Sequence, residues 1–150
     1  MNSCNRLRHF AILMVALWGA SCSLAQNTPL KFQRFGVDQG LTVTTAFSIV
    51  QDDNGFLWIS TIDGLHRYDG YNFVTYKNNF DDPQSLSDNT LSTIFKDSKG
   101  NFWIGTYNEG VNCFDPRTGH CKRYDAHSND PNHLSNGRVW CCCEDKDGKM

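Results

Sequence analysis

Two stretches of this chain superimpose without a gap. Gln51-Asp52-Asp53-Asn54-Gly55-Phe56-Leu57-Trp58-Ile59-Ser60-Thr61 lies over Lys96-Asp97-Ser98-Lys99-Gly100-Asn101-Phe102-Trp103-Ile104-Gly105-Thr106, which sets the tryptophans 45 residues apart. With one inserted residue the match continues, Asp63-Gly64-Leu65 against Glu109-Gly110-Val111 and Tyr68-Asp69 against Phe114-Asp115. A third copy opens 48 residues further on, where Pro131, Leu134 and the turn at 144–148 follow Pro83, Leu86 and the turn at 96–100. A period of this length marks solenoids, propellers and arrays, in which each unit buries its apolar faces against the next.

Each unit resolves into four short strand signals, with no helical periodicity. The first covers residues 46–51 and again 91–96, rich in β-branched and aromatic residues. Asp and Gly then close a tight turn at 52–55 and 97–100, where glycine supplies a positive φ at little steric cost. The second strand, 56–61 or 101–106, is apolar on consecutive positions, as a sheet buried on both faces requires. Within it, Ser60 and Gly105 are small, which we read as close approach by an adjacent blade. The third and fourth strands fall near 65–68 and 72–76, then near 111–114 and 120–124. Four strands in 45–48 residues is the blade pattern of radial β repeats. The expected fold is therefore all-β: a β-propeller fragment of four-stranded antiparallel blades, about two blades plus part of a third. Blade 1 is expected at 46–76, blade 2 at 90–124 and the start of blade 3 at 138–150, with 30–35 as a closing outer strand, all within an incomplete propeller over 26–150.

The remaining composition narrows the function classes. A formal net charge of -2 over 150 residues offers no basic stripe for nucleic acid, and no such partner is expected. Arg6 and Arg8 precede an apolar run over 10–18 and the small residues Ser23-Leu24-Ala25, so residues 1–25 read as a signal peptide. The run is well short of the ~20 residues that span a bilayer. Cys22 as a lipid-modified cysteine is a weaker reading, because Gly19 stands where that processing usually wants Leu. His66, His120, His127 and His133 have unrelated spacings, and Cys141-Cys142-Cys143 forms no Cys-x-x-Cys knuckle. We expect solvated or edge histidines, no metal and no cofactor.

The phrase from Gly40-Leu41 to Asp53-Asn54-Gly55-Phe56-Leu57-Trp58-Ile59-Ser60-Thr61-Ile62-Asp63-Gly64-Leu65, and its second copy over 97–110, resembles the two-component regulator propeller repeat. That resemblance implies an exported, periplasmic sensor region, commonly two propellers followed by a connecting β domain, a transmembrane helix and a histidine kinase. Partners would be the rest of the propeller, the kinase and an oligosaccharide or other small polar ligand. It implies a sensing module, with no enzymatic chemistry in the portion present. The chain departs from its own pattern at Cys141-Cys142-Cys143, where earlier units carry Ser48-Ile49-Val50 and Thr93-Ile94-Phe95. The stretch Asp53-x-Gly55-x-x-Trp58 is also similar to the Asp-box of sialidase-type propellers, but the second unit has Ser98 at the acidic position, which favours a structural turn. A fragment of a glycan-processing propeller enzyme and a scaffold for protein interaction remain the alternatives.

In blade geometry the loops joining strands two and three share an end with the connections between blades. That end carries Asp63, Tyr107, Asn108 and Glu109, the expected ligand-binding residues, together with polar connections at 78–89 and 126–137. Cys113 and Cys121 flank the turn at 115–119 and would be neighbours on a hairpin, so they are a candidate disulfide pair if the register allows, against two free thiols.

Overall fold

A computed structural model of the protein describes residues 30–126 and 133–150. The expected signal peptide, His127 and Pro131 lie outside them. The chain divides into two compact units, 1–33 and 34–150. Of the first, the described residues 30–33 carry no regular structure, and in the second Arg34 and Phe35 likewise precede any strand, so none of the segment 30–35 is a strand here. All that follows concerns the second unit.

After a short 3-10 turn at Val37–Gln39, eight strands follow: β1 (Ala46–Gln51), β2 (Leu57–Thr61), β3 (Gly64–Tyr68), β4 (Phe73–Tyr76), β5 (Leu91–Lys96), β6 (Phe102–Thr106), β7 (Val111–Asp115) and β8 (His120–Tyr124). They form two four-stranded antiparallel meanders, β1-β2-β3-β4 and β5-β6-β7-β8. The fold is all-β, two propeller blades in sequence.

The core lies between the blades. Trp58 is fully buried, with its ring 5.2 Å from Phe102 and 5.3 Å from Phe114 of the second blade and 5.4 Å from Tyr76 of its own. Leu65, Leu86, Leu91, Ile94, Ile104 and Cys121 complete the cluster. This explains the unbroken apolar run in β2 and β6: both faces of a blade meet protein. Truncating such an aromatic anchor typically costs about 3–5 kcal/mol. Gly105 fulfils the expectation of close approach, since a Cβ there would lie 2.8 Å from the Val139 carbonyl oxygen.

The turns repeat in atomic detail. Asp52 accepts from the backbone N–H groups of Asn54 (2.9 Å) and Phe56 (3.0 Å) and from the Trp58 indole (2.9 Å). Asp97 does the same for Lys99 (2.9 Å), Asn101 (2.8 Å) and the Trp103 indole (3.0 Å). In the third unit Asp145 accepts from Asp147 and Lys149. Burial raises the pKa of Asp97, but these donors outweigh it and leave the carboxyl below its ordinary value. The acidic residue that matters is thus six positions before the tryptophan; the Asp-box comparison drew attention instead to Asp53, whose exposed carboxylate reaches across to Lys96 of the next blade.

Three readings need correction. The β7–β8 register pairs Cys113 with Lys122 and Phe114 with Cys121, so the two thiols project to opposite faces and both are free. Side chains alternate faces along a strand, and no rotamer brings such a pair together. His66 is neither solvated nor at an edge: on the inner strand β3 it is fully buried, with Nδ1 3.0 Å from the Thr75 hydroxyl, and burial lowers its pKa. Residues 138–150, expected to begin a third blade, contain its turn but no strand. They nevertheless lie along blade 2, through Val139 N to Thr106 O (3.0 Å), the Ser92 hydroxyl on Val139 O, and Glu144 receiving Ser98 N (2.8 Å) and Oγ (2.7 Å).

Candidate functional site

At one end of the blades the β2–β3 and β6–β7 turns meet the connections between units. Thr61 and Thr106, both fully buried, build these turns: each hydroxyl donates to the carbonyl of the glycine that closes its turn, Gly64 (3.0 Å) or Gly110 (2.9 Å), and accepts the N–H of Asp63 or Glu109. The following connection is then tied on, Gly64 N to Asn89 O (2.8 Å) and Gly110 N to Gly137 O (2.7 Å). Position 137 is glycine for a steric reason, since a Cβ would collide with the Asn108 carbonyl oxygen.

On this frame the four expected binding residues separate. Tyr107, Asn108 and Glu109 line an open groove of about 660 Å³ together with Asn136, Gly137, Arg138 and Trp140. Asp63 stands apart from it. Its carboxylate accepts from Lys77 Nζ (2.6 Å) and the Thr42 hydroxyl (2.7 Å), and those bonds, Lys77's first, hold it below the usual carboxylate range. It fastens blade 1 to the segment that precedes it. Glu109, at the same repeat position, carries no such ion pair; the hydroxyl of Ser87 donates to its main-chain carbonyl (3.3 Å), leaving its carboxylate at the groove.

Near the groove a backbone irregularity recurs that pattern reading did not register. The β1–β2 and β5–β6 ladders shift between Ala46 and Ser48 and between Leu91 and Thr93, so Phe47 and Ser92 are bulge residues. A bulge re-aims its side chain. Trp140 occupies the corresponding position 48 residues after Ser92. The Phe47 and Tyr107 rings are 6.0 Å apart and those of Tyr107 and Trp140 5.2 Å, forming a row of three rings across three units. Arg138 sits with its guanidinium 5.9 Å from the Tyr107 ring and its Nε 3.4 Å from the Tyr107 carbonyl oxygen. Sequence reasoning named neither Arg138 nor Trp140. The available signal was comparison of repeat columns: the equivalents in the preceding unit are Thr90 and Ser92.

Among the described residues no group of three or more His, Cys, Asp and Glu could hold a metal, and no helix is long and apolar enough to cross a membrane. Burial holds three of the thiols in the unreactive protonated form: it pushes Cys121 up to about 12 and Cys142 up to about 11, and raises Cys113.

Repeated four-stranded meanders packed face to face, with turn and bulge positions in register, define a β-propeller repeat protein. Comparison with known proteins agrees. The two-component regulator propeller family matches at residues 40–63 and 85–108, one match in each unit, and the chain is identified by them as carrying two-component regulator propeller repeats. It is 32% identical to the extracellular domain of a hybrid two-component system from B. thetaiotaomicron, with a TM-score of 0.70, over 77% of this chain and 16% of that one. A second B. thetaiotaomicron extracellular domain shares the fold at 24% identity and a TM-score of 0.50, over 63% of this chain and 14% of that one. A histidine kinase of Formosa agariphila is 36% identical over 78 residues, 52% of this chain and 6% of the kinase. The chain thus spans a small part of the proteins it resembles.

Proposed function

We propose that this chain is part of the sensory propeller of an exported two-component signalling protein, working in the periplasm, and that it binds a small polar ligand such as an oligosaccharide. The intact protein would pass that event to a histidine kinase. One observation carries the reading: an open groove lined by aromatic, amide and acidic residues, held on the loop end of blades related to the extracellular domain of a hybrid two-component system. Aromatic rings with a few convergent polar groups are the usual furniture of small-ligand sites, and loops on a rigid scaffold are their usual location.

We infer further that the chain does no catalysis. Glycoside hydrolysis needs two carboxyl groups facing each other across a pocket. Among the described residues the groove brings in one, Glu109, while Asp52, Asp97, Asp63 and Asp115 are engaged by turn N–H groups, Lys77 or Arg117. The test is a binding titration of the purified full chain against an oligosaccharide panel, read by tryptophan fluorescence. Saturable binding is expected, weakened about tenfold or more by Tyr107→Ala and Trp140→Ala, the loss typical of a central aromatic contact. Binding indifferent to both substitutions would refute the site. Cleavage of the glycan would refute the non-catalytic reading.

A further inference from the structure

The two blades fill one position of the repeat with different chemistry. His66 of β3 pairs in register with Ile59, and Asn112 of β7 pairs with Ile104, the repeat equivalent of Ile59. Each blade is entered by a polar segment that buries one leucine, Leu41 before blade 1 and Leu86 before blade 2. At blade 2 the side chain grips that segment: the Ser87 N–H donates to Asn112 Oδ1 (3.0 Å), and Asn112 Nδ2 donates to the Ser87 hydroxyl (3.0 Å). Thr42 is the equivalent of Ser87, but its hydroxyl donates to Asp63 (2.7 Å) and not to His66. The amide clasp of blade 2 thus has no counterpart at blade 1, where a titratable ring stands in its place.

That ring is nonetheless closed in. The face of β3 that carries His66 and Tyr68 continues onto Thr75 and Phe73 of β4, and the segment 35–42 lies across it as a strap. The Phe35 ring is 4.9 Å from Tyr68 and 6.2 Å from Phe73, and a Cβ on Gly40 would be 3.6 Å from the Phe73 Cβ. His66 is fully buried, with Nδ1 3.0 Å from the Thr75 hydroxyl, whereas Nε2 is buried with no hydrogen-bond partner among the described residues. When Nδ1 carries the proton, a neutral ring leaves only one lone pair unmatched. An imidazolium carries a proton on both nitrogens, and an unpaired buried charge is far more costly. Burial is the first influence on the ring and lowers its pKa; Asp63 acts in the opposite sense and Lys77 in the same sense. The other ionisable groups of the elements packed here point elsewhere: Arg34 and Asp38 of the strap are exposed, and Arg67 lies on the opposite face of β3, over Phe56 and Trp58.

We propose that His66 is a protonation switch for the 35–42 strap: the neutral ring lets the strap close on blade 1, and in mild acid the added proton, finding no acceptor beside the buried ring, lifts the strap away. The connection before blade 2 stays closed, because the Asn112 amide that grips it does not titrate. The direction follows from linkage. The ring's folded pKa lies below its ordinary 6.5, so closure is fully favoured above 6.5 and its advantage is lost as pH falls from there through the lower folded value. Asp63, held below 3.8 by Lys77 and Thr42, stays ionised over that range, so the Thr42 bond does not itself titrate there.

The experiment is amide hydrogen exchange of the full chain from about pH 7.5 to about pH 5.5, corrected for intrinsic exchange rates. The strap is read at the N–H groups of Gly40 and Leu41, which donate to the carbonyls of Val37 (2.9 Å) and Gly36 (3.2 Å), and the reference is the Ser87 N–H on Asn112. Opening of the strap should rise by up to about tenfold per pH unit below 6.5, while Ser87 keeps its protection. His66→Asn, which copies the residue of blade 2, should make the strap indifferent to pH over this range. A strap no more sensitive to pH than Ser87, or a sensitivity that survives His66→Asn, overturns the proposal. Should that variant fail to fold, the wild-type ring decides by its own nuclear magnetic resonance titration: a midpoint below 6.5 that coincides with strap opening supports the switch, and one at or above 6.5 overturns it.

Discussion

Replacing Asp97 by Asn tests the central device of the repeat, the carboxylate that gathers a turn and an indole. Asp97 is 7% exposed and accepts from two backbone N–H groups, the Trp103 indole at 3.0 Å and the Asn101 amide at 3.2 Å. Asn keeps the shape and one acceptor oxygen, which suffices for the turn. Its amide nitrogen, however, would meet both the indole N–H and the Asn101 amide donor to donor, so the substitution deletes the indole bond together with the longer 3.2 Å Asn101 bond and leaves the indole unpaired. Bonds to charged groups contribute about 1.5–3 kcal/mol. At about 4 °C per kcal/mol for a chain of this size, the melting midpoint should fall by about 6–12 °C. Asp53→Asn is the matched control: it removes an equal charge that bonds no indole, from an ion pair whose carboxylate side is 81% exposed, and should cost less than about 1 kcal/mol. The assay is thermal unfolding of the full chain by near-ultraviolet circular dichroism, repeated with Trp103→Phe alone and in the Asp97→Asn background. A coupling of about 1 kcal/mol between the two sites is expected. The pH dependence has a definite sign. The folded pKa of Asp97 lies below its ordinary 3.8, so its stabilisation is complete above that value and is lost as pH falls through the lower folded value. The gap between wild type and Asp97→Asn should therefore narrow only in acid. If Asp97→Asn melts no lower than Asp53→Asn, the indole anchor is not what holds the turn.

Two further outcomes follow from the packing. Gly105→Ala should destabilise by about 1–3 kcal/mol, as overpacking does, because the added methyl would stand 2.7 Å from Ser92 Oγ and 2.8 Å from Val139 O; hydrogen exchange should show the loss concentrated in 139–144, and unchanged protection there would contradict the close approach. Pulsed alkylation at pH 8 should label the exposed Cys141 and Cys143 first and the buried Cys121 last, with no Cys113–Cys121 disulfide by mass spectrometry; an oxidised pair would show the β7–β8 register to be wrong.

Much of the fold was legible because its determinants are local. Strand alternation, the Asp and Gly of the turns, and the tryptophan spacing each express a backbone requirement that recurs in every unit, so β2 and β6 or the turns at Asp52 and Asp97 could be located from one chain. The cysteine pair was not legible, since whether two strand residues share a face depends on a register that shifts by single residues. His66 was misjudged for a related reason: nothing in its neighbourhood along the chain records that β3 is an inner strand with protein on both faces. At the candidate site, Tyr107, Asn108 and Glu109 could be placed from the turn they occupy. Asp63 could not be separated from them, because Lys77 and Thr42 reach it only in three dimensions.

By itself the sequence determined the period, the four-strand unit and the end of the blade on which loops gather, all consequences of φ preferences and of which residues tolerate burial. Only the tertiary structure decided which side chains face one another: that Trp58 is roofed by Phe102 and Phe114, that Phe47, at a ladder irregularity, meets Tyr107, and that Gly137 lets Arg138 and Trp140 approach Tyr107. Those contacts join residues far apart along the chain, and their geometry is set by the stacking of whole blades, which no local preference encodes.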